Sequence, residues 1–226
     1  MDRIKENTVP ADSQMRRNDR IKVFGKTDAK TKILILGNSI TWHEYKDEIG
    51  WFGDWGMAAS SEDNDYVHLL CDKLGALKQP YGEVAVMIRQ AATWELGYQK
   101  DDVLNDFMVE KEFNADIVLF RLGENIRKDV DAKLLYEKIK ELLNFLCPNG
   151  KAVLTTGFWK NIVVDDCIKE YAQKENAILI DLNPLGEDES NMAIGKFSHH
   201  GVEIHPGDKG MKEIANVLYK TLKELI

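Results

Sequence analysis

The fold is organised around one stretch, Lys32-Ile33-Leu34-Ile35-Leu36-Gly37-Asn38-Ser39-Ile40-Thr41, in which an apolar run stops abruptly at a glycine. Ile33–Leu36 has the short length and the branched apolar side chains of a buried strand. The glycine permits a tight turn directly after it. The stretch therefore predicts a buried strand that presents the hydroxyl of Ser39 at the carboxyl edge of a sheet.

Apolar runs of this kind recur along the chain and alternate with longer amphipathic stretches. The predicted strands are Ile33–Leu36, Val84–Ile88, Ile117–Leu122, Ala152–Thr156 and Ala177–Ile180. The predicted helices are Asp63–Leu77, Trp94–Lys111, Asp131–Cys147, Asp165–Glu175 and Asp208–Leu225. Strands that alternate with helices pair in parallel through right-handed crossovers, so helices cover both faces of the sheet. This pattern predicts an α/β fold, a three-layer α/β/α sandwich with a five-stranded parallel sheet.

The chain has 226 residues, of which 44% are hydrophobic, and this is enough to bury the core of one domain. Residues 1–30 are polar except for Ile21–Phe24, so we predict an N-terminal arm over 1–30, with at most one edge element, and a domain over 31–226. Irregular stretches as long as Trp42–Ser61 and Asn183–Gly207 are usually functional or disordered. The aromatic residues of the first favour an ordered segment.

Charge and composition limit the partners of the chain. A net charge of −8 without a long basic block disfavours nucleic acid and anionic membranes. Residues 1–6 lack the apolar core of a signal peptide, and no stretch approaches the roughly 20 apolar residues of a membrane helix. The three cysteines form no Cys-x-x-Cys pair. We therefore expect a cytoplasmic protein with a small-molecule partner; a homo-oligomer is left open.

Candidate catalytic residues lie at the ends of the predicted strands, where parallel sheets bind their ligands. Ser39 follows the first strand, Asn125 follows the third, and His205 precedes the last helix. A serine hydroxyl becomes a useful nucleophile when an imidazole removes its proton, so Ser39 and His205 are sufficient for acyl transfer. The backbone amide of Ser39 and the side-chain amide of Asn125 are suitable donors for an oxyanion hole.

These residues resemble the sequence blocks of the SGNH, or GDSL-type, hydrolases. Gly37-Asn38-Ser39-Ile40 resembles the first block, Gly123-Glu124-Asn125 the third, and His205-Pro206 with Gly210 the fifth. The blocks occur in the family's order and span nearly everything from residue 32 to the end. The resemblance implies a flavodoxin-like sandwich that hydrolyses esters through an acyl-enzyme, without a metal ion or an organic cofactor. It also implies a nucleophile at Ser39, a base at His205 and an oxyanion hole that includes Asn125.

The sequence departs from the family pattern at the second block. The family has a glycine there whose amide completes the oxyanion hole, whereas this chain has Arg89-Gln90-Ala91-Ala92-Thr93-Trp94. A backbone amide of alanine can serve equally well where φ is negative. We therefore assign this role to Ala92, with Ala91 left open.

A second departure concerns the partner of the catalytic histidine. The family has an aspartate three residues before the histidine, and this chain has Val202. Glu203 can take its place only if the segment is not extended. Asp208 is a further candidate, and a backbone carbonyl would give a Ser–His dyad. Val202 also motivates an alternative function, a catalytically impaired carbohydrate-binding domain on the same fold.

Aromatic residues predict the nature of the substrate. Trp42, Trp94 and Trp159 follow predicted strand ends, and indole surfaces suit sugar rings or short acyl groups. We assign substrate binding to Trp42, Trp94 and Gly123. Because the resembling family includes carbohydrate esterases, we expect a short-chain, acetyl-type ester of a carbohydrate or another small polar molecule. The absence of a long apolar lid in the sequence disfavours long-chain lipids.

A metal site is the remaining alternative for the histidines near the end of the chain. His199, His200, Glu203 and His205 are all of metal-ligand types. They contain no His-x-x-x-His helix pattern, and the serine constellation already accounts for His205. We therefore predict no metal site.

Overall fold

The computed structural model describes residues 20–26, 28–78 and 82–226. A six-stranded sheet forms the centre of the molecule, in the order β1-β3-β2-β4-β5-β6. Its strands are β1 (Ile21–Phe24), β2 (Thr31–Gly37), β3 (Val84–Gln90), β4 (Ile117–Phe120), β5 (Lys151–Thr155) and β6 (Ile178–Ile180). The five strands from β2 to β6 pair in parallel, which confirms the predicted α/β sandwich.

The sixth strand, β1, is the difference from the prediction. It pairs antiparallel with β3, with Ile21 opposite Arg89 and Phe24 opposite Val86. The edge element that the sequence allowed is therefore present, and the sheet begins before residue 31. Residues 1–19 of the predicted arm lie outside the described residues.

Eight α-helices occur in the described residues. They are α1 (Tyr66–Lys73), α2 (Ala92–Gly97), α3 (Met108–Phe113), α4 (Ala132–Leu146), α5 (Ile162–Lys174), α6 (Asn183–Glu187), α7 (His200–Glu203) and α8 (Asp208–Leu222). The single helix predicted over Trp94–Lys111 is wrong, because the chain forms α2, a 3-10 turn at Val103–Phe107 and α3. Gly97 lies at the end of α2, where a glycine weakens helix continuation. None of the described helices is both long and apolar enough to cross a lipid bilayer.

The two faces of the sheet carry separate hydrophobic cores. Ile33 and Ile35 of β2 face the core that α1 and α8 cover, whereas Leu34 and Leu36 face the core that α2, α4 and α5 cover. Successive side chains of a strand point to opposite faces, so a strand buried on both faces reads as a continuous apolar run. This arrangement explains why β2 was readily predicted.

The position of β2 in the sheet determines which edge carries Ser39 and Asn125. It lies between β3 and β4, so the chain leaves β2 towards one side of the sheet and later crosses to the other. The strand order reverses between β2 and β4, and such switch points form ligand crevices at the carboxyl ends of the strands. Ser39 follows β2 and Asn125 follows β4, so both lie at the switch point.

The long segment after Ser39 is ordered, as its aromatic content predicts. Isolated bridges join His43 to Trp55 and Lys46 to Trp51. A small apolar cluster then packs this segment against the chain that precedes α8; its members are Ile49, Trp51, Met57, Ala58, Ala193 and Val202. The cluster therefore connects the segment that follows Ser39 to the segment that carries His205.

Candidate active site

The turn that presents Ser39 is fixed by close packing against the Thr41 side chain and by backbone hydrogen bonds. A Cβ atom at Gly37 would lie 1.7 Å from Thr41 Oγ1, so the turn requires glycine at position 37. The amides of Thr41 and Trp42 donate to the Asn38 carbonyl at 2.9 and 3.0 Å. The Ser39 carbonyl accepts from the Met57 amide at 2.9 Å. These bonds leave the Ser39 side chain half-buried at the end of β2.

His205 contacts Ser39 in the geometry of a general base. Its Nε2 lies 2.8 Å from Ser39 Oγ, and its Nδ1 lies 2.6 Å from the Gly201 carbonyl oxygen. A carbonyl can only accept, so the ring proton resides on Nδ1 and Nε2 presents its lone pair to the serine hydroxyl. The structure therefore places a neutral imidazole in the tautomer that can remove the Ser39 proton.

The segment around His205 is held on both sides. The Ala193 amide donates to the His205 carbonyl at 2.9 Å, and the Gly207 amide donates to the Asn191 carbonyl at 2.9 Å. The pKa of His205 is lowered to about 3, chiefly by burial; the bond to Gly201 opposes the shift, and the neighbouring His43 and Arg121 add smaller contributions in the lowering direction. The imidazole is therefore unprotonated at neutral pH.

Glu203 does not orient His205 in the structure, which corrects that part of the predicted triad. Its carboxylate accepts from the Gly195 amide at 2.9 Å and lies 3.1 Å from His200 Nδ1. The helix α7 ends at Glu203, two residues before His205, and the Glu203 carboxylate is bound to Gly195 and His200. The Gly201 carbonyl, four residues before His205, takes the orienting position instead.

The other positions considered for that role are also engaged elsewhere. Asp208 accepts from the Ser60 amide at 2.8 Å and from the Ser60 hydroxyl at 2.7 Å. Val202 is fully buried in the small apolar cluster beside Trp51 and Met57. An apolar residue at position 202 therefore serves packing between the two loops.

The structure separates the two alanines proposed for the oxyanion hole. The Ala91 amide donates to the Gly37 carbonyl at 2.6 Å, so it joins the end of β3 to the end of β2 and is already engaged. Ala92 is the first residue of α2, and its amide donates to Gln90 Oε1 at 3.3 Å, a longer bond than that of Ala91. Ala92 is thus the alanine with the weaker amide bond, at the helix start that follows β3.

Asn125 is held by a buried carboxylate that the sequence reasoning did not identify. Asn125 Nδ2 donates to Glu95 Oε2 at 2.5 Å, while Asn38 Nδ2, next to Ser39, donates to Glu95 Oε1 at 3.2 Å. Glu95 is only 2% exposed. Asn38, the neighbour of Ser39, and Asn125, the predicted oxyanion donor, therefore bind the same side chain of α2.

A buried ion pair lies beside Glu95. Arg121 donates to Glu124 Oε1 and, at 3.0 Å, to Asn38 Oδ1, and Asn38 Nδ2 donates to Glu124 Oε2 at 2.7 Å. Burial, followed by the charge of Glu124, raises the pKa of Glu95 to about 7. The sequence signals were a lone arginine in the apolar run before Gly123 and a lone glutamate between Trp94 and Leu96, because buried charges require partners.

The aromatic assignments need correction. Trp94 is fully buried against Phe120 and Tyr98, so it belongs to the core and cannot line an open pocket. Trp42 is 4% exposed, its Nε1 donates to Asp54, and Lys22 Nζ lies 4.4 Å from its ring centroid. Both indoles are therefore buried in the structure, and neither forms an exposed surface for a substrate.

Trp159 and Gly123 are placed differently. The half-buried Trp159 packs edge-to-face on His205 with the ring centroids 4.8 Å apart, so it is the indole beside the Ser39–His205 pair. Gly123 has φ of +143° and its amide donates to Glu95 at 2.6 Å. Gly123 therefore shapes the loop before Asn125, and its amide is engaged by protein.

Metal-ligand groups were also considered. Within residues 20–26, 28–78 and 82–226, no three His, Cys, Asp or Glu side chains are grouped so that they could hold a metal ion.

Comparison with known proteins identifies the fold. A two-domain esterase active on acetylated mannans, co-crystallized with mannopentaose, is similar with 13% identity and a TM-score of 0.57, over 94% of this chain and 57% of that one. A family two carbohydrate esterase from Cellvibrio japonicus gives 15% identity and a TM-score of 0.54, over 87% and 62%. A member of the lipolytic protein G-D-S-L family from Veillonella parvula DSM 2008 gives 14% and 0.51, over 86% and 100%.

The chain thus has the fold of the SGNH-type hydrolases, which confirms the resemblance at the level of the fold. It spans 57% and 62% of the length of the first two esterases. Comparison with protein-family models gave no match, and neither did comparison with curated protein sequences.

Proposed function

We propose that this chain is a serine esterase that hydrolyses short-chain esters through an acyl-enzyme. The observation that carries the proposal is the continuous contact from Ser39 Oγ to His205 Nε2 at 2.8 Å, and from His205 Nδ1 to the Gly201 carbonyl at 2.6 Å. A serine, a neutral imidazole and an acceptor for its second nitrogen are the parts that acyl transfer needs.

In the proposed reaction His205 moves one proton twice. Nε2 takes the Ser39 proton as Oγ attacks the ester carbonyl, and it then gives that proton to the departing alcohol. Water then attacks the acyl-enzyme, His205 Nε2 takes its proton, and the same proton returns to Ser39 Oγ as the acid leaves. The Nδ1 proton stays on the ring throughout, because its partner is the Gly201 carbonyl, a weak base that does not accept a full proton.

The negative charge of the tetrahedral intermediate is assigned to three donors: the amides of Ser39 and Ala92 and the side-chain amide of Asn125. Donors that are already in place stabilise this charge without reorganising, and each is worth on the order of 3 kcal/mol of barrier. The Ala92 amide would exchange its 3.3 Å bond to Gln90 Oε1 for one to the oxyanion. The Asn125 amide has one N–H bound to Glu95 and a second one for the substrate.

The proposed substrate is an acetyl-type ester of a carbohydrate or another small polar molecule. Two similar structures are described as a carbohydrate esterase and as an esterase active on acetylated mannans. The half-buried Trp159 beside His205 supplies the aromatic surface on which a sugar ring or a short acyl group can pack.

The test compares wild type with Ser39→Ala on p-nitrophenyl acetate and on acetylated sugars, together with labelling by a fluorophosphonate probe. We expect labelling at Ser39 and loss of hydrolysis in the variant. Unchanged hydrolysis by Ser39→Ala would refute the serine mechanism. An unlabelled Ser39 combined with measurable sugar binding would support the catalytically impaired carbohydrate-binding domain instead.

A further inference from the structure

The side-chain amide of Asn125 has two different ends, and only one of them can stabilise an oxyanion. The Nδ2 end donates, whereas the Oδ1 end would repel a negative charge. Glu95 Oε2 lies 2.5 Å from Nδ2. An ionised carboxylate accepts and never donates, so it can face only the Nδ2 end. The contact therefore selects the amide orientation in which Nδ2 has its second N–H available.

The same carboxylate also holds the backbone of the loop. Glu95 Oε1 accepts from the Gly123 amide at 2.6 Å and from the Asn125 amide at 3.3 Å. Gly123 has φ of +143°, a conformation that side-chain-bearing residues rarely adopt. Glu95 thus binds both ends of the turn as well as the Asn125 side chain, and it projects from α2, the helix that begins at Ala92.

From this geometry we propose that Glu95 is a positioning residue that fixes the Asn125 side-chain amide in its donating orientation at the oxyanion site. The proposal rests on the proposed function, because it assigns a purpose to one donor of that site. Glu95 itself does not contact the reacting atoms; it acts through Asn125.

The charges around Glu95 restrict this role to its ionised form, which predominates above the pKa of about 7. Glu124 disfavours a second negative charge, and the Arg121–Glu124 pair offsets part of that repulsion. On its outer side Glu95 borders a cavity of about 370 Å³ whose ionisable members are Tyr98, Arg127, Asp129 and Asp131. A glutamine at position 95 would offer both a donor and an acceptor, so it would no longer discriminate between the two ends of the Asn125 amide.

A double-mutant cycle tests whether Glu95 acts through Asn125. The variants are Glu95→Gln, Asn125→Ala and the double variant, assayed for kcat and KM on p-nitrophenyl acetate. We expect kcat to fall about 10- to 100-fold for Glu95→Gln and about 100- to 1000-fold for Asn125→Ala, with KM nearly constant. The double variant should lie within about threefold of Asn125→Ala. Effects that multiply would overturn the proposal.

Glu110→Gln is the matched control. Glu110 is also fully buried, but it pairs with Arg89 at 3.2 Å, away from the Asn125 loop. We expect Glu110→Gln to lower the melting temperature without lowering kcat. If Glu95→Gln behaves in the same way, Glu95 is only structural. Should Glu95→Gln fail to fold, Glu95→Asp, which keeps the acceptor-only character, takes its place in the cycle with a smaller expected loss.

A readout that needs no activity separates this proposal from the proposed function. In ¹H–¹⁵N spectra, the side-chain NH₂ of Asn125, assigned by its loss in Asn125→Ala, should exchange slowly in wild type and rapidly in Glu95→Gln. An unchanged exchange rate would refute the positioning role even if the chain is an esterase. Conversely, a protein without Ser39-dependent hydrolysis that shows the expected change would refute the esterase and leave Glu95 as the group that orients Asn125.

Discussion

On the two sides of Ser39, different kinds of chemical group orient the neighbouring residues. On the base side, His205 is oriented by the neutral Gly201 carbonyl. On the oxyanion side, the buried carboxylates of Glu95 and Glu124 hold Asn125 and Asn38. The group that orients His205 is thus uncharged, whereas the groups that hold the loop of Asn125 are carboxylates. The difference shows that orienting an imidazole requires an acceptor at the right place, which a backbone atom can supply, whereas selecting one end of an amide requires a group that only accepts.

Removing the proposed base, His205, should have the largest effect on activity. We expect His205→Ala to lower kcat about 10⁴-fold, because the Ser39 hydroxyl then has no proton acceptor. His200→Ala is the matched control, since that imidazole is exposed and contacts Glu203 instead of Ser39. Steady-state kinetics on a short-chain ester measure both. Comparable losses in the two variants would contradict the assignment of the base.

Removing the cation on the oxyanion side should cost stability. Arg121→Met leaves Glu124 buried without its ion-pair partner, and breaking a buried pair in this way costs about 3–5 kcal/mol of unfolding free energy. Arg127→Met removes an exposed arginine paired with Asp129 and should leave the denaturation midpoint unchanged. Urea denaturation of the three proteins measures the difference. Equal midpoints would show that Arg121 does not support the buried carboxylates.

The pH dependence shows which side of Ser39 limits activity in acid. The pKa of His205 is lowered to about 3 and that of Glu95 is raised to about 7. As pH falls below about 7, Glu95 gains a proton and loses an acceptor for Asn125, while His205 remains a neutral base. We therefore expect kcat/KM of wild type to decline by about tenfold or more below pH 7.

Glu95→Gln removes the titrating group and should show no such decline until His205 itself is protonated at much lower pH. Initial rates on an ester whose product absorbs independently of pH give the two profiles. An acid limb at the same pH in both proteins would mean that the decline comes from a group other than Glu95.

The smallest expected effect belongs to Glu203. Its carboxylate contacts Gly195 and His200, so Glu203→Gln should change kcat by less than about threefold while lowering thermal stability through the weakened buried bond. Thermal melts and kcat values are measured on the same preparations. A loss of kcat that approaches that of His205→Ala would restore Glu203 as the partner of the imidazole.

Much of the fold follows from the sequence, because strands buried on both faces give continuous apolar runs. Ser39 and Asn125 were predicted to share an edge for a topological reason: both follow strands whose carboxyl ends meet in any parallel sheet. The prediction of one long helix over Trp94–Lys111 is wrong because amphipathic spacing can continue across a turn as well as along a helix. Gly97 was a local signal for the end of a helix, but the amphipathic spacing was given more weight.

The details of the site could not be predicted from position alone. The Gly201 carbonyl takes its place through α7, a helix of four residues, which is little more than one helical turn and therefore too short for an amphipathic pattern to repeat. Trp94 follows a strand end as Trp159 does, but only the helix rotation directs the first into the core. Glu95 and Arg121 were overlooked because charges in a sequence are normally interpreted as surface groups.

The orienting oxygen at Gly201 belongs to the main chain, and this affects how such a site is inherited. Any amino acid that preserves the path of α7 supplies the same oxygen, so no single side-chain replacement can delete it. Position 202 is then free to evolve as a packing residue between two loops. Related chains could exchange an acidic residue for an apolar one there and keep the reaction, and a search that demands an acid before the histidine would pass over them.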